Sequence, residues 1–185
     1  MASFIDTLID RAKADKKTIV LPEGNDERIL EAAQEALAQG IANIIILGDA
    51  DEIAAKGYNL EGATIIDPAT SDKQEEFAEL LYELRKAKGM TPEKARETIK
   101  NTLFYACMMI KEGKADGMVS GAINTTGNTL RPGLQIIKMA KGINTISSCF
   151  IMEIPNKEYG DNGLMLFGDC AINISYEDKL DKEGN

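Results

Sequence analysis

Residues 17–48 read KTIVLPEGNDERILEAAQEALAQGIANIIILG, and the fold class can be predicted from this segment. Residues 17–21 and 41–48 are short, apolar and rich in β-branched side chains, which is typical of buried strands. The amphipathic segment between them has an N-cap residue, Asp26, before it and a glycine, Gly40, after it, so it predicts a helix over residues 27–39. Two buried strands joined by a helix form a βαβ unit, in which the strands run parallel.

The chain continues this alternation of strands and helices up to residue 144. The further predicted helices span about residues 3–14, 49–57, 71–88, 92–112 and 130–141, and the further predicted strands span residues 62–67 and 115–122. The sequence therefore predicts an α/β fold with a mainly parallel sheet flanked by helices.

The alternation of predicted strands and helices stops near residue 145. Two apolar segments, residues 144–152 and 163–172, are joined by the polar turn EIPNKEYGDN with no intervening helix, so a hairpin is compatible with them. We expect a first α/β domain over residues 1–144 and the start of a second, truncated α/β domain over residues 145–173. Residues 174–185 form an atypical charged tail.

Composition excludes several function classes. A net charge of −9 over 185 residues argues against a nucleic-acid partner, which requires clustered positive charge. The chain contains no histidine, which removes the commonest general base and every Ser-His or Cys-His mechanism. No apolar run approaches the length of a membrane span and no signal-like start is present, so we expect a cytoplasmic protein without a membrane partner.

The cysteines give no sign of a metal or redox site. Cys107, Cys149 and Cys170 lack CxxC spacing and lie in apolar surroundings. We therefore expect three buried free thiols.

One loop is the best candidate for a binding site. Residues 121–137 read GAINTTGNTLRPGLQII and follow the strand predicted over residues 115–122. Gly121 and Gly127 let backbone approach a ligand closely, and Pro132 suits the first turn of a helix. Free N–H groups at that helix start and the guanidinium of Arg131 predict a phosphate-type anion site. The alternative is an ordinary turn of Asn, Thr and Gly with an exposed arginine.

Two other charged segments are further candidates, and each also has a simpler structural interpretation. In LPEGNDER, residues 21–28, four charged residues crowd the end of a predicted strand: Glu23, Asp26, Glu27 and Arg28. The alternative is a capped helix start with acidic residues at the positive end of the helix dipole. Arg85 lies near the predicted C-terminus of a helix, where a cation is locally favoured.

Four segments together resemble the phosphate acetyltransferases, within the phosphate acetyl/butyryl transferase group. They are residues 17–33, 115–138, 147–152 and 165–173, and the resemblance covers about residues 1–173. It implies an enzyme that converts acetyl-CoA and phosphate into acetyl phosphate and CoA. It also implies two α/β domains with the active site between them, a cytosolic homodimer, and no metal or prosthetic group.

The resemblance also implies site residues. Arg131 matches the arginine of the family's TxRP motif, and Arg85 matches the arginine before the TPE turn; both would hold phosphate and the CoA side of the site. Thr125 and Thr126 occupy hydroxyl-bearing positions of the small-residue loop, and Asn124 stands where many members carry histidine. No catalytic residue is identified in this part of the sequence.

One departure from the family pattern affects activity. Family members are nearly twice this length, and their second half carries a Ser-Arg pair and an aspartate that activates the CoA thiol. We therefore expect a truncated chain that is weakly active or inactive. The alternatives are a phosphate butyryltransferase, a non-catalytic CoA- or anion-binding remnant, and, less in keeping with the absent glycine fingerprints, a nucleotide-binding protein.

Overall fold

The computed structural model of the protein describes residues 3–143 and 145–170. Residues 5–138 form one compact unit, and the described residues from 139 onward belong with residues 3–4 to a second. The boundary at residues 144–145 that the sequence suggests lies a few residues beyond this division and stays a prediction. The atypical tail, residues 174–185, lies outside the described residues.

The larger unit is built on a four-stranded parallel sheet. Its strands are β1 (Lys17–Leu21), β2 (Ala42–Leu47), β3 (Thr64–Ile66) and β4 (Gly117–Met118), in the spatial order β3-β2-β1-β4. All three strand pairings are parallel. The predicted α/β fold with a parallel sheet flanked by helices is confirmed.

Seven α-helices lie within the described residues. They are α1 (Phe4–Ala14), α2 (Glu27–Gln39), α3 (Ala50–Ala55), α4 (Gln74–Arg85), α5 (Pro92–Ile99), α6 (Thr102–Lys111) and α7 (Thr126–Pro132). A 3-10 turn over Lys86–Lys88 follows α4, and a π turn over Gly133–Ile137 follows α7. Within residues 3–143 and 145–170, no helix has the length and apolarity needed to cross a membrane.

The sheet is covered on both faces, and β2 shows why. Side chains of consecutive strand residues point to opposite faces. Ile44 and Ile46 pack in a cluster with Leu30 of α2, whereas Ile45 and Leu47 pack in a cluster with residues of α4, α5 and α6. A strand buried on both faces reads as a continuous apolar run, which is the pattern of ANIIIL.

The helix predicted over residues 92–112 is wrong in one respect, because the structure breaks it in two. Asn101 has an extended backbone (φ −70°, ψ 125°) between α5 and α6. Its side-chain oxygen accepts hydrogen bonds from the N–H groups of Leu103 at 3.1 Å and Phe104 at 3.4 Å. Asparagine competes with the helical backbone in this way, and it therefore starts a new helix.

The helix predicted over residues 130–141 is also displaced. The hydroxyl of Thr125 accepts a hydrogen bond from the N–H of Asn128 and caps α7, so the helix begins at Thr126. Pro132 is the last residue of α7 rather than a first-turn residue. It has no N–H to donate to the preceding turn, and the helix widens into the π turn that ends at Ile137.

The second unit contains an antiparallel hairpin of β5 (Cys149–Glu153) and β6 (Leu164–Gly168), in which Ile151 lies opposite Leu166. The predicted buried state of the three cysteines is wrong for two of them. Cys107 is buried in α6, but Cys149 and Cys170 are exposed at the end of the hairpin. Strand residues on both faces of this hairpin are solvent-exposed, so an apolar neighbourhood in the sequence does not bury these thiols.

We predict that Asn101→Ala destabilises the protein by about 1 kcal/mol, because two N–H groups at the start of α6 lose their acceptor. Urea unfolding followed by circular dichroism measures this difference. The control is Lys100→Ala at the neighbouring exposed position, for which we expect a change within about 0.5 kcal/mol. Equal unfolding midpoints for Asn101→Ala and wild type would contradict the capping role.

Candidate functional site

The loops that follow β1 and β4 meet at one edge of the sheet. The chain leaves β1 toward β2 on one side, and β4 lies on the other side, so the strand order reverses between β1 and β4. Open parallel sheets bind ligands beyond the carboxyl ends of the strands at such a reversal. The segments that leave this point are residues 22–25 after β1 and residues 119–124 after β4.

A buried carboxylate joins these two segments. Glu23 is 1% exposed and lies 98 residues before Gly121 in the sequence. Its Oε2 accepts hydrogen bonds from the backbone N–H groups of Gly121 and Ala122, both at 2.9 Å. Its Oε1 accepts from the N–H groups of Ile123 at 3.1 Å and Asn124 at 2.9 Å, and from the side-chain amide of Asn124 at 2.8 Å. Four consecutive N–H groups of the loop therefore converge on one internal anion.

Two glycines make this convergence possible. Gly121 has a φ of +123°, a conformation that residues with a Cβ rarely adopt, and it turns the loop toward Glu23. Gly24 packs against β2, where a Cβ would lie 2.6 Å from the carbonyl oxygen of Leu47. A side chain at position 24 would therefore push the segment that carries Glu23 away from the sheet.

The hydrogen bonds decide the ionisation of Glu23. Burial alone raises the pKa of this carboxyl, but hydrogen bonds from Ala122, the Asn124 side chain, Gly121 and Ile123 outweigh burial. They lower the pKa from its usual value near 4.5 to about 2. Glu23 is consequently a carboxylate at neutral pH, and its charge is neutralised by donors within the fold.

Arg28, at the start of α2, also forms a hydrogen bond to this loop. Its guanidinium donates to both carboxylate oxygens of Asp26, at 2.9 and 2.8 Å, and to the carbonyl oxygen of Ala122 at 2.7 Å. The ion pair raises the pKa of Arg28 and lowers the pKa of Asp26. The LPEGNDER segment therefore starts α2 and also binds the loop after β4 through Glu23 and Arg28.

This geometry changes the interpretation of the 121–137 loop. The sequence pattern predicts that free N–H groups at a helix start beside Arg131 hold an anion. The helix begins at Thr126, so Arg131 lies in its last turn rather than at its start. The N–H groups of residues 121–124, which precede the helix, bind Glu23. The sequence singled out Glu23 only as one of the charged residues at the end of β1. Its partners could not be predicted, because they follow β4 and the adjacency of β1 and β4 is not visible in the sequence.

The other predicted residues of the loop have structural positions. Thr125 is the N-cap of α7 and Thr126 is its first residue. Gly127 follows in the first turn, and no atom of the described residues would touch a Cβ added there. Gly121 contacts Glu23 as described above.

The two predicted arginines line one cavity of about 340 Å³. Arg85 ends α4 and Arg131 lies on α7, so tertiary packing brings two separate helices to the same space. Lys88 and Lys94 also line this cavity, and no carboxylate is found among the described residues around it. These two lysines were not identified from the sequence.

The lining of this cavity suits an anionic ligand with an apolar portion. Arg85 has a buried Nε without a hydrogen-bond partner among the described residues. Thr98 and Gln135 add neutral polar groups, and Met90 and Phe104 add apolar surface. A buried guanidinium N–H without an acceptor is costly, so an incoming phosphate or carboxylate oxygen would satisfy it.

Residues 3–179 match the family described as phosphate acetyl/butaryl transferase. The chain belongs to this family. Among its relatives, the phosphate acetyltransferase of Thermoanaerobacterium thermosaccharolyticum is 54% identical over 175 residues, which cover 94% of this chain and 53% of the relative. The phosphate acetyltransferase of Acetivibrio thermocellus is 52% identical over 172 residues, covering 92% of this chain and 52% of the relative.

Solved structures of phosphotransacetylases share the fold of this phosphate acetyl/butaryl transferase chain. The EutD phosphotransacetylase from Staphylococcus aureus has a TM-score of 0.80 and 37% identity, covering 93% of this chain and 51% of that structure. A phosphotransacetylase from Streptococcus pyogenes has a TM-score of 0.81 and 36% identity, covering 95% and 54% respectively. This family member thus spans about half the length of the relatives it matches.

We predict that Glu23 contributes to acid sensitivity. Because its folded pKa lies below its unfolded pKa, the stabilisation is complete above about pH 4.5 and is lost as the pH falls toward 2. The depression corresponds to about 3 kcal/mol. Urea unfolding of wild type and Glu23→Gln at about pH 6 and about pH 3 tests this, because the variant lacks the titrating group. We expect the wild type to lose more stability than the variant over this range; an equal loss would contradict the assigned ionisation.

Proposed function

We propose that this chain carries the anion-binding part of a phosphate acetyltransferase, which transfers an acetyl group between CoA and phosphate. The observation that carries this proposal is the cavity shared by Arg85 and Arg131, which also contains Lys88 and Lys94. The names of the two relatives at 54% and 52% identity support acetyl over butyryl as the transferred group.

The arginines suit both the ground state and the transition state of this reaction. CoA and acetyl phosphate both carry phosphate groups, and a guanidinium presents a planar fork that matches phosphate oxygens. When the thiolate of CoA attacks the acetyl carbonyl, negative charge develops on the carbonyl oxygen and on the leaving phosphate. A fixed cation beside these atoms binds the transition state more strongly than the ground state.

The described residues favour binding and charge stabilisation over deprotonation of the thiol. A thiol needs a base or a lowered pKa to react at neutral pH. The sequence contains no histidine, and Glu23, with a pKa of about 2 and both oxygens engaged, is a poor base. In this proposal the base therefore comes from outside the Arg85–Arg131 cavity, and no metal or prosthetic group takes part. The cytoplasmic location and the homodimer remain predictions from the resemblance.

We predict that Arg131→Gln and Arg85→Gln each weaken CoA binding at least about tenfold, because each removes a fixed charge from the cavity. Where acetyl phosphate formation is measurable, we expect it to fall by about 10²–10³ for Arg131→Gln. Isothermal titration with CoA and with inorganic phosphate measures the first effect, and a coupled assay of CoA release measures the second.

The matched control is Arg96→Gln. Arg96 pairs with Glu75 at 2.9 Å on the surface and does not line the cavity. If all three variants bind CoA as the wild type does, the cavity is not the binding site. If the wild type binds CoA and phosphate without turnover, the chain acts as an anion-binding module.

A further inference from the structure

We propose that Glu23 is a positioning residue that places Arg131 in the wall of the cavity that Arg85 also lines, and that it acts through the loop of residues 121–124. This inference rests on the proposed function only for the identity of the ligand in the cavity. It adds to that function a residue that touches no ligand but sets the geometry of the site.

The first step is that Glu23 has no capacity left for a ligand. Oε2 accepts two hydrogen bonds and Oε1 accepts three, and the side chain is 1% exposed. A carboxylate offers about four lone-pair sites, so these five donors fill it. Any effect of Glu23 on the site must therefore pass through the residues that it holds.

The second step is that Glu23 is itself held to the sheet. Glu23 is the second residue after β1, and the N–H of Gly24 donates to the carbonyl oxygen of Leu47 in β2 at 3.1 Å. The N–H of Asp26 donates to the carbonyl oxygen of Glu23 at 3.0 Å. The carboxylate is consequently a fixed point on the sheet rather than the end of a mobile side chain.

The third step leads from the loop to Arg131. Asn124 is the last residue held by Glu23, and Thr125 caps α7 immediately after it. With a rise of 1.5 Å per residue, Arg131 lies about 7.5 Å along α7 from Thr126, the first residue of the helix. Arg131 is exposed, so its location depends on the helix that carries it rather than on packing of its own side chain.

The fourth step concerns the opposite wall of the cavity. Arg85 ends α4, which is packed into the core through Phe77, Ala78 and Leu81. The far end of the Arg131 segment is anchored by Ile136, which is fully buried in the same core cluster. The N-terminal end of α7 is then fixed by residues 121–124, which Glu23 holds through hydrogen bonds.

The test compares Glu23→Gln with Glu31→Gln in the full chain. Glu31 is an exposed residue of α2, so the control removes the same charge from a surface position. A glutamine at position 23 brings an NH₂ group against N–H donors, so the loop must move. We expect Glu23→Gln to shift the backbone amide resonances of residues 121–124 and the Nε–H resonance of Arg131, and to raise the Kd for inorganic phosphate and for CoA about tenfold. We expect none of these changes in Glu31→Gln.

A purely structural role would lower stability without these effects. The proposal is overturned if the loop amides shift while the Arg131 resonance and both Kd values stay at wild-type values in the folded variant. If Glu23→Gln does not fold, Asn124→Ala decides the matter, because it removes one donor and leaves the backbone hydrogen bonds. We expect smaller changes in the same direction, and an unchanged Arg131 resonance would overturn the proposal.

Rescue by an added anion shows whether an effect comes from the missing carboxylate or from a general loss of stability in the variant. In Glu23→Ala the four N–H groups of the loop lose their acceptor, and formate is small enough to replace the missing carboxylate. We expect formate to return the Arg131 resonance toward its wild-type position, and no return in formate contradicts the proposal. If the wild type binds neither phosphate nor CoA, the proposed function fails, while the resonances of residues 121–124 and Arg131 still decide whether Glu23 positions α7.

Discussion

The carboxylate of Glu23 and the four N–H groups that surround it hold together the part of the fold on which the site depends. A buried charge costs several kcal/mol in desolvation unless donors surround it, and a loop with four inward-facing N–H groups needs an acceptor. Each therefore satisfies the other. The loop after β4 depends strongly on these hydrogen bonds, because β4 is only two residues long and pairs only with β1 among the described strands. The ladder alone gives the chain after β4 little fixed structure.

This arrangement separates two kinds of anion binding within one acidic protein. The backbone donors at the reversal of strand order are used internally by Glu23, whereas the cavity of Arg85 and Arg131 keeps its cations for a ligand. A net charge of −9 therefore coexists with a local basic site, because four cations line this cavity and none of the described residues that line it is acidic. The first site is filled by the buried side chain of Glu23, whereas the second is a cavity of about 340 Å³. The family relationship of the chain fits this division, since its relatives are named for a reaction of phosphate.

Most of the first domain could be predicted from local patterns. The bounds of β1 and α2 agree with the sequence prediction, because apolar runs, the Asp26 cap and Gly40 are all short-range signals. The errors occur where one polar side chain outweighs a continuous periodic pattern. Asn101 breaks a helix that its neighbours would continue, and Thr125 starts α7 earlier than Pro132 suggests. In both cases one side-chain oxygen that accepts hydrogen bonds from one or two backbone N–H groups is enough to shift the start of a helix.

Four features could be predicted from the sequence alone: the alternation of strands and helices, the fold class, the family and, through the resemblance, the two arginines. These follow from periodicity, capping residues and motif matches, all of which are contained in contiguous segments. Which loops come into contact depends on the packing of the folded chain. Strand order places β4 beside β1 and so gives Glu23 its partners 98 residues away, and helix packing brings Lys88 and Lys94 to the arginines. The physical reason is that hydrogen bonds and charges act across space, and distance along the chain does not reveal which groups will be close in the fold.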